Sequence, residues 1–192
     1  MIRSKTALRA LAVTSLAILA ATSGSEPDAA QVVGALASEP TPDDALPAAV
    51  AGGLHEHRLS PDSVRLLRRQ GEVRHYVATN AGDELCLIAV RAAMDSADVA
   101  AASCARPSDV RDHGLPLRLR AGEQVTLAVL VPDGYESASR GDGRGQIKVT
   151  DNVVSIDSAT RSSMPDDLVL QPQWLGDHAI QVPIRPQDFR GG

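Results

Sequence analysis

The sequence predicts a mainly β domain of α+β type: a small, disulfide-tied antiparallel sheet or sandwich with one N-terminal covering helix. Three observations carry that expectation. From Glu72 onward the apolar residues recur with a period of two instead of 3.6. Gly, Asp, Asn and Pro interrupt these runs at short spacing, as a succession of hairpins requires. The chain also holds just two cysteines, Cys86 and Cys104, separated by a run rich in Ala, Asp and Ser.

The 192-residue chain divides into four stretches. In the first, 1–25, Arg3, Lys5 and Arg9 precede an uncharged segment from Ala10 to Ser25 centred on Leu16-Ala17-Ile18-Leu19. Basic residues followed by an apolar core are the pattern of a secretory signal peptide. The apolar core is shorter than the about 20 residues of a membrane span, and Thr14, Ser15, Thr22 and Ser23 dilute it. Cleavage among the small residues near Ala20 to Ser25 is therefore expected, and the alternative is an uncleaved N-terminal anchor. No cysteine follows the apolar core, which argues against a lipidated lipoprotein.

The second stretch, 26–53, is rich in Ala, Pro and Asp, with Glu39-Pro40-Thr41-Pro42-Asp43-Asp44 at its centre. Such a composition predicts a flexible tether, or at most a short, marginal helix around Ala29 to Ala37. The third, 54–157, is the β-rich domain. Its covering helix is expected from Ser60, with Ser60 as N-cap, Pro61 and Asp62 in the first turn, Val64 and Leu67 on one face, and Gly71 as terminator.

Strands are expected at Val73 to Thr79, Leu85 to Val90, Ala100 to Cys104, Leu115 to Arg120, Gln124 to Val131, Ile147 to Thr150 and Val153 to Ile156. The alternation Leu115-Pro116-Leu117-Arg118-Leu119-Arg120 marks a half-buried edge strand, because Pro116 has no N–H to give a neighbour. Leu85 to Val90 and Val125 to Val131 are apolar on both faces and should be central. A helical turn is expected from Ser108, as cap, to Gly114. The fourth stretch, 158–192, is a Pro-containing extension that adds an edge strand with Trp174 over one end of the core, or else displays Trp174 for docking.

An even, minimal cysteine count in an exported chain is most simply a disulfide, Cys86 to Cys104, tying neighbouring strands. The pair lacks the Cys-x-x-Cys spacing of redox-active dithiols. Leu85-Cys86-Leu87-Ile88, Ser103-Cys104-Ala105, the Asp109 to Gly114 turn, Val131-Pro132-Asp133-Gly134 and Asp151-Asn152-Val153 occur in that order. Together they resemble a group of exported actinobacterial proteins with no established activity, over residues 60 to 156. The resemblance implies a fold and a compartment, and no catalytic residue. It departs at Ser139-Arg140-Gly141-Asp142-Gly143-Arg144-Gly145, where a plain hairpin would be usual.

Composition restricts the partners. The formal net charge is −5 and becomes more negative when Arg3, Lys5 and Arg9 leave with the signal, so the average field repels nucleic acid and anionic membranes. Tyr76, Tyr135, Trp174 and Phe189 are the only aromatics, too few to stack bases or grip sugars. A membrane contact is expected only if the signal is retained.

Candidate chemistry is sparse. His55-Glu56-His57 would place two imidazoles on one side of an extended segment, with His75, His113 or His178 as a third metal ligand, but without the His-Glu-x-x-His spacing of a helical zinc site. No Gly-x-Ser-x-Gly elbow is present. Asp43-Asp44 and Asp166-Asp167 are ordinary solvating acids, and Arg140-Gly141-Asp142 is a chance tripeptide at a hairpin tip. The sequence thus points to an exported, non-catalytic binding or scaffolding domain of the envelope, with no cofactor and an unknown envelope or protein partner. The alternatives are a small metal-dependent hydrolase built on His55 and His57, or the outer part of an anchored envelope protein.

Overall fold

A computed structural model of the chain describes residues 25–92, 98–140, 146–157, 167–172 and 180–183. The signal segment, the loop centre at 141–145, Asp166, Trp174, His178 and Phe189 lie outside the described residues. The domain is mainly β, and every strand pairing is antiparallel.

The first sheet has the order β1 (Arg65–Gln70), β2 (Val73–Thr79), β3 (Leu85–Arg91), β4 (Val99–Ala105). After the helix α3 (Pro107–His113), β5 (Leu115–Ala121) and β6 (Gln124–Leu130) form the second sheet with β9 (Val153–Asp157). A third sheet runs β11 (Ile180–Pro183), β10 (Asp167–Pro172), β7 (Tyr135–Arg140), β8 (Gln146–Lys148). Two short helices, α1 (Ala29–Val32) and α2 (Ala48–Ala51), precede all of these.

The binary pattern decides which faces meet. In β5, Leu115, Leu117 and Leu119 are buried while Pro116, Arg118 and Arg120 are exposed. Their leucines meet Leu67, Val77, Leu85 and Leu87 of the first sheet in the main core. Arg91 crosses between the layers to donate to Gln124 and Thr126. β3 is buried from Leu85 to Val90 because its second face is covered as well. There Tyr76, Ile88 and Val90 pack against Val50, Leu54 and Val64. A third cluster sets Val125, Val129 and Val154 of the second sheet against Val149 and Ile180.

The covering helix expected from Ser60 does not form. Pro61–Ser63 makes a single 3₁₀ turn, and Arg65–Gln70 is a strand paired with β2. The physical reason lies at Gly71, which has φ of +58°. With Gln70 opposite Val73, Gly71 is the first residue of a two-residue hairpin loop, a position that demands positive φ. Ala121 and Gln124 enclose Gly122 in the same way, at φ +60°.

The stretch 26–53, expected as a flexible tether, is instead folded against the domain. Asp28 caps α1 by accepting from Ala30 N–H, and the Gln31 side chain accepts from Asp28 N–H. Val32 and Val33 are 2% and 0% exposed within the main core. Asp44 accepts from Thr41 N–H, the Thr41 hydroxyl and Leu66 N–H, which ties the segment to β1. Arg65, also buried, donates to the carbonyls of Ser38, Asp62 and Val64. Composition alone gave no sign of these two charged anchors.

The anticipated turn near Ser108 is α3, and Gly114 ends it as expected. Its cap is not Ser108, because Pro107 occupies the first turn and the Ser108 N–H donates to the Glu26 carboxylate. The Ser108 hydroxyl first and that N–H second hold the Glu26 carboxyl below its ordinary pKa. Two motifs behind the resemblance also meet: the Asn152 amide donates to the Asp133 carboxylate and to Val131 O. Asp133 in turn accepts from Gly34 N–H and donates its own N–H to Val32 O.

Candidate functional site

A concave feature lies on the outer side of the first sheet, where residues 45–64 lie over it. Leu46 just ahead of α2, Val50 within it and Leu54 in the turns that follow all pack with Tyr76 and Ile88. α2 continues into a 3₁₀ helix at Gly52–His57, which ends at Arg58 in the left-handed region, φ +51°. Arg58 N–H donates to His55 O, and Arg58 O accepts from Ala81 N–H. Leu59 then bridges to Asn80, and Ser60 N–H donates to Thr79 O. The Ser63 hydroxyl closes the corner by donating to Ser60 O and accepting from Thr79 N–H.

This path leaves an apolar pocket of about 390 Å³, walled by Leu46, Leu54, Leu59, Pro61 and Val64, with His55 and Arg58 also lining it. Leu54 and Val64 are buried at its base. The Arg58 side chain makes no hydrogen bond or ion pair with the described residues. Concave sites lined mainly by apolar side chains with a few polar groups are the usual form of small-molecule sites.

His55 and His57 do not share one side of an extended segment. They sit in a 3₁₀ helix, where two positions amount to two-thirds of a turn, so the rings diverge. His55 Nδ1 is 2.9 Å from Gly52 O, and His57 Nδ1 is 3.8 Å from Cys104 Sγ. His75 is fully buried, and by alternation with Tyr76 it lies on the opposite face of the first sheet. His113 is exposed at the end of α3. Among the described residues no three of His, Cys, Asp and Glu come together as a metal site would require.

Cys86 and Cys104 are bonded, and they stand directly opposite each other in the β3–β4 pairing. Cys86 is fully buried, and the disulfide is on the same face as the pocket segment. The neighbouring acids Asp43 and Asp44 act apart: Asp44 is the anchor to β1, while Asp43 makes an exposed ion pair with Arg69.

The chain matches no protein-family model, no curated protein and no solved structure. Among the described residues no helix is long and apolar enough to cross a membrane. Together with a disulfide, that is compatible with a place outside the cytoplasm.

Sequence reasoning found His55 but not the pocket it lines. The available signal was the four-residue spacing of Leu46, Val50 and Leu54, which alanine and proline neighbours disguise. Nothing in the sequence marks Arg58, since a left-handed arginine is uncommon and arises from the return of the chain to β2.

Proposed function

We propose that this protein is an exported, non-catalytic binding domain of the cell envelope or extracellular space, and that residues 45–64 form its binding site. The pocket of about 390 Å³ with aliphatic walls carries this reading. It is large enough for a small ligand, and the exposed His55 and Arg58 are at hand to orient one. The order of basic and apolar residues in 1–25 supports export, as does the resemblance of the ordered motifs to exported actinobacterial proteins. The divergence of His55 and His57 favours this reading over a hydrolase built on that pair.

Two measurements test this. Intact mass of the protein recovered outside the cells should fall short of 20.1 kDa by the signal; a full-length, membrane-bound product would overturn export. Methyl NMR during titration with decanol should move Leu46, Leu54, Leu59 and Val64 first. Resonances that stay still, or that move only elsewhere, would overturn the pocket as the binding site.

A further inference from the structure

Resting on that reading of the pocket, we propose that its ligand is a single-chain aliphatic molecule ending in a carboxylate. The chain would lie on Leu46, Leu54, Leu59 and Val64, and the carboxylate would be received by Arg58. Three observations lead there. The volume is near the low end of the roughly 300–1,000 Å³ typical of small-molecule sites, which suits one alkyl chain and excludes a two-chain lipid. The lining contains aliphatic residues, His55 and Arg58, and no acidic side chain. Arg58 is therefore a cation with no carboxylate partner among the described residues, beside an apolar cavity, in a chain of net charge −5.

Charge complementarity then selects the head group. A guanidinium offers a planar fork that fits a carboxylate with two hydrogen bonds, and an alkyl carboxylate satisfies both the fork and the walls. An alcohol would satisfy only the walls, and an alkylammonium would be repelled. The backbone holds the fork's origin in place, since both Arg58 N–H and C=O are hydrogen-bonded. His55 contributes its second ring nitrogen, because Nδ1 is engaged by Gly52 O.

The test compares decanoate, decanol and decyltrimethylammonium on the whole exported protein, by calorimetry and by the Leu and Val methyl resonances. Decanoate should bind about fivefold more tightly than decanol, the size of one modest charge-assisted contact at an exposed site. High salt should shrink that advantage. Arg58→Asn, a residue that tolerates the left-handed region, should abolish the difference between decanoate and decanol. Ala51→Trp, at an exposed lining position, should block both ligands. Equal affinities for decanoate and decanol, or an advantage that survives Arg58→Asn, would overturn the carboxylate assignment and leave the pocket reading standing. Pocket methyls that ignore every probe would overturn both.

Discussion

Asp44 is 8% exposed and still ionised. Burial works against its charge, but hydrogen bonds from Leu66 N–H, Thr41 N–H and the Thr41 hydroxyl, with the nearby Arg65 guanidinium, outweigh it and hold the carboxyl below its ordinary pKa. A carboxyl depressed on folding contributes stability that is complete above its unfolded value, about 3.9, and is lost as pH falls through the folded value. Asp44→Asn should therefore flatten the acid side of the stability curve below about pH 4, a difference that urea titrations at a series of pH values would reveal. Asp44→Ala goes further, since Leu66 N–H and Thr41 N–H lose their acceptor. Its expected cost is about 1–3 kcal/mol at neutral pH, and an unchanged urea midpoint would refute the anchoring role.

At the scale of elements, most strands were legible, while β1, β7 and the cover were not. β2 and β6 alternate or fill with apolar residues strongly enough to fix their positions to within a residue. β1 failed because Arg65-Leu66-Leu67-Arg68-Arg69-Gln70 has high helical propensity, and pairing with β2 overrides it. The glycine after it has the same identity as a helix terminator and as a hairpin residue, so only the partner strand distinguishes the two. The disulfide was legible from the cysteine count and the expected compartment, and its register was not. Because β3 and β4 are already paired along their length, removing the bond should leave the sheet intact. Cys86→Ala with Cys104→Ala should lower unfolding free energy by about 2–4 kcal/mol through the freed chain between them. Circular dichroism should report unchanged strand content beside a lower denaturation midpoint; lost strand content would mean that the bond creates the pairing.

Over the whole molecule, the N-terminal segment is the cover of the sandwich: Val32 and Val33 enter the main core, and Val50 and Leu54 close the outer face of the first sheet. The candidate site was half legible for the same reason. His55 is visible as a residue type, whereas a pocket made by the return of 45–64 onto β2 depends on contacts far apart in sequence. One close approach tests the docking. A Cβ on Gly34 would sit 2.7 Å from Asp133 Oδ2, which accepts from Gly34 N–H while Asn152 holds Oδ1 of the same carboxylate. Gly34→Ala should cost about 1–2 kcal/mol by displacing that carboxylate. The same change made on Asp133→Ala should cost clearly less, because the obstructing atom is gone; strict additivity of the two in urea unfolding would show that the contact is idle.

The bond from Gly34 to Asp133 spans 99 positions, and that from Ser108 to Glu26 spans 82. The N-terminal stretch of the domain is thus held by contacts that need α3 and the turn at Asn152 to be in place. Long-range closure of this kind is slow, and until residues 45–64 dock, Tyr76 and Ile88 on the outer face of the first sheet have no cover. The alanines, prolines and acids spread through 26–53 suit that wait. A segment of that composition has little apolar surface with which to associate while the face it covers is open.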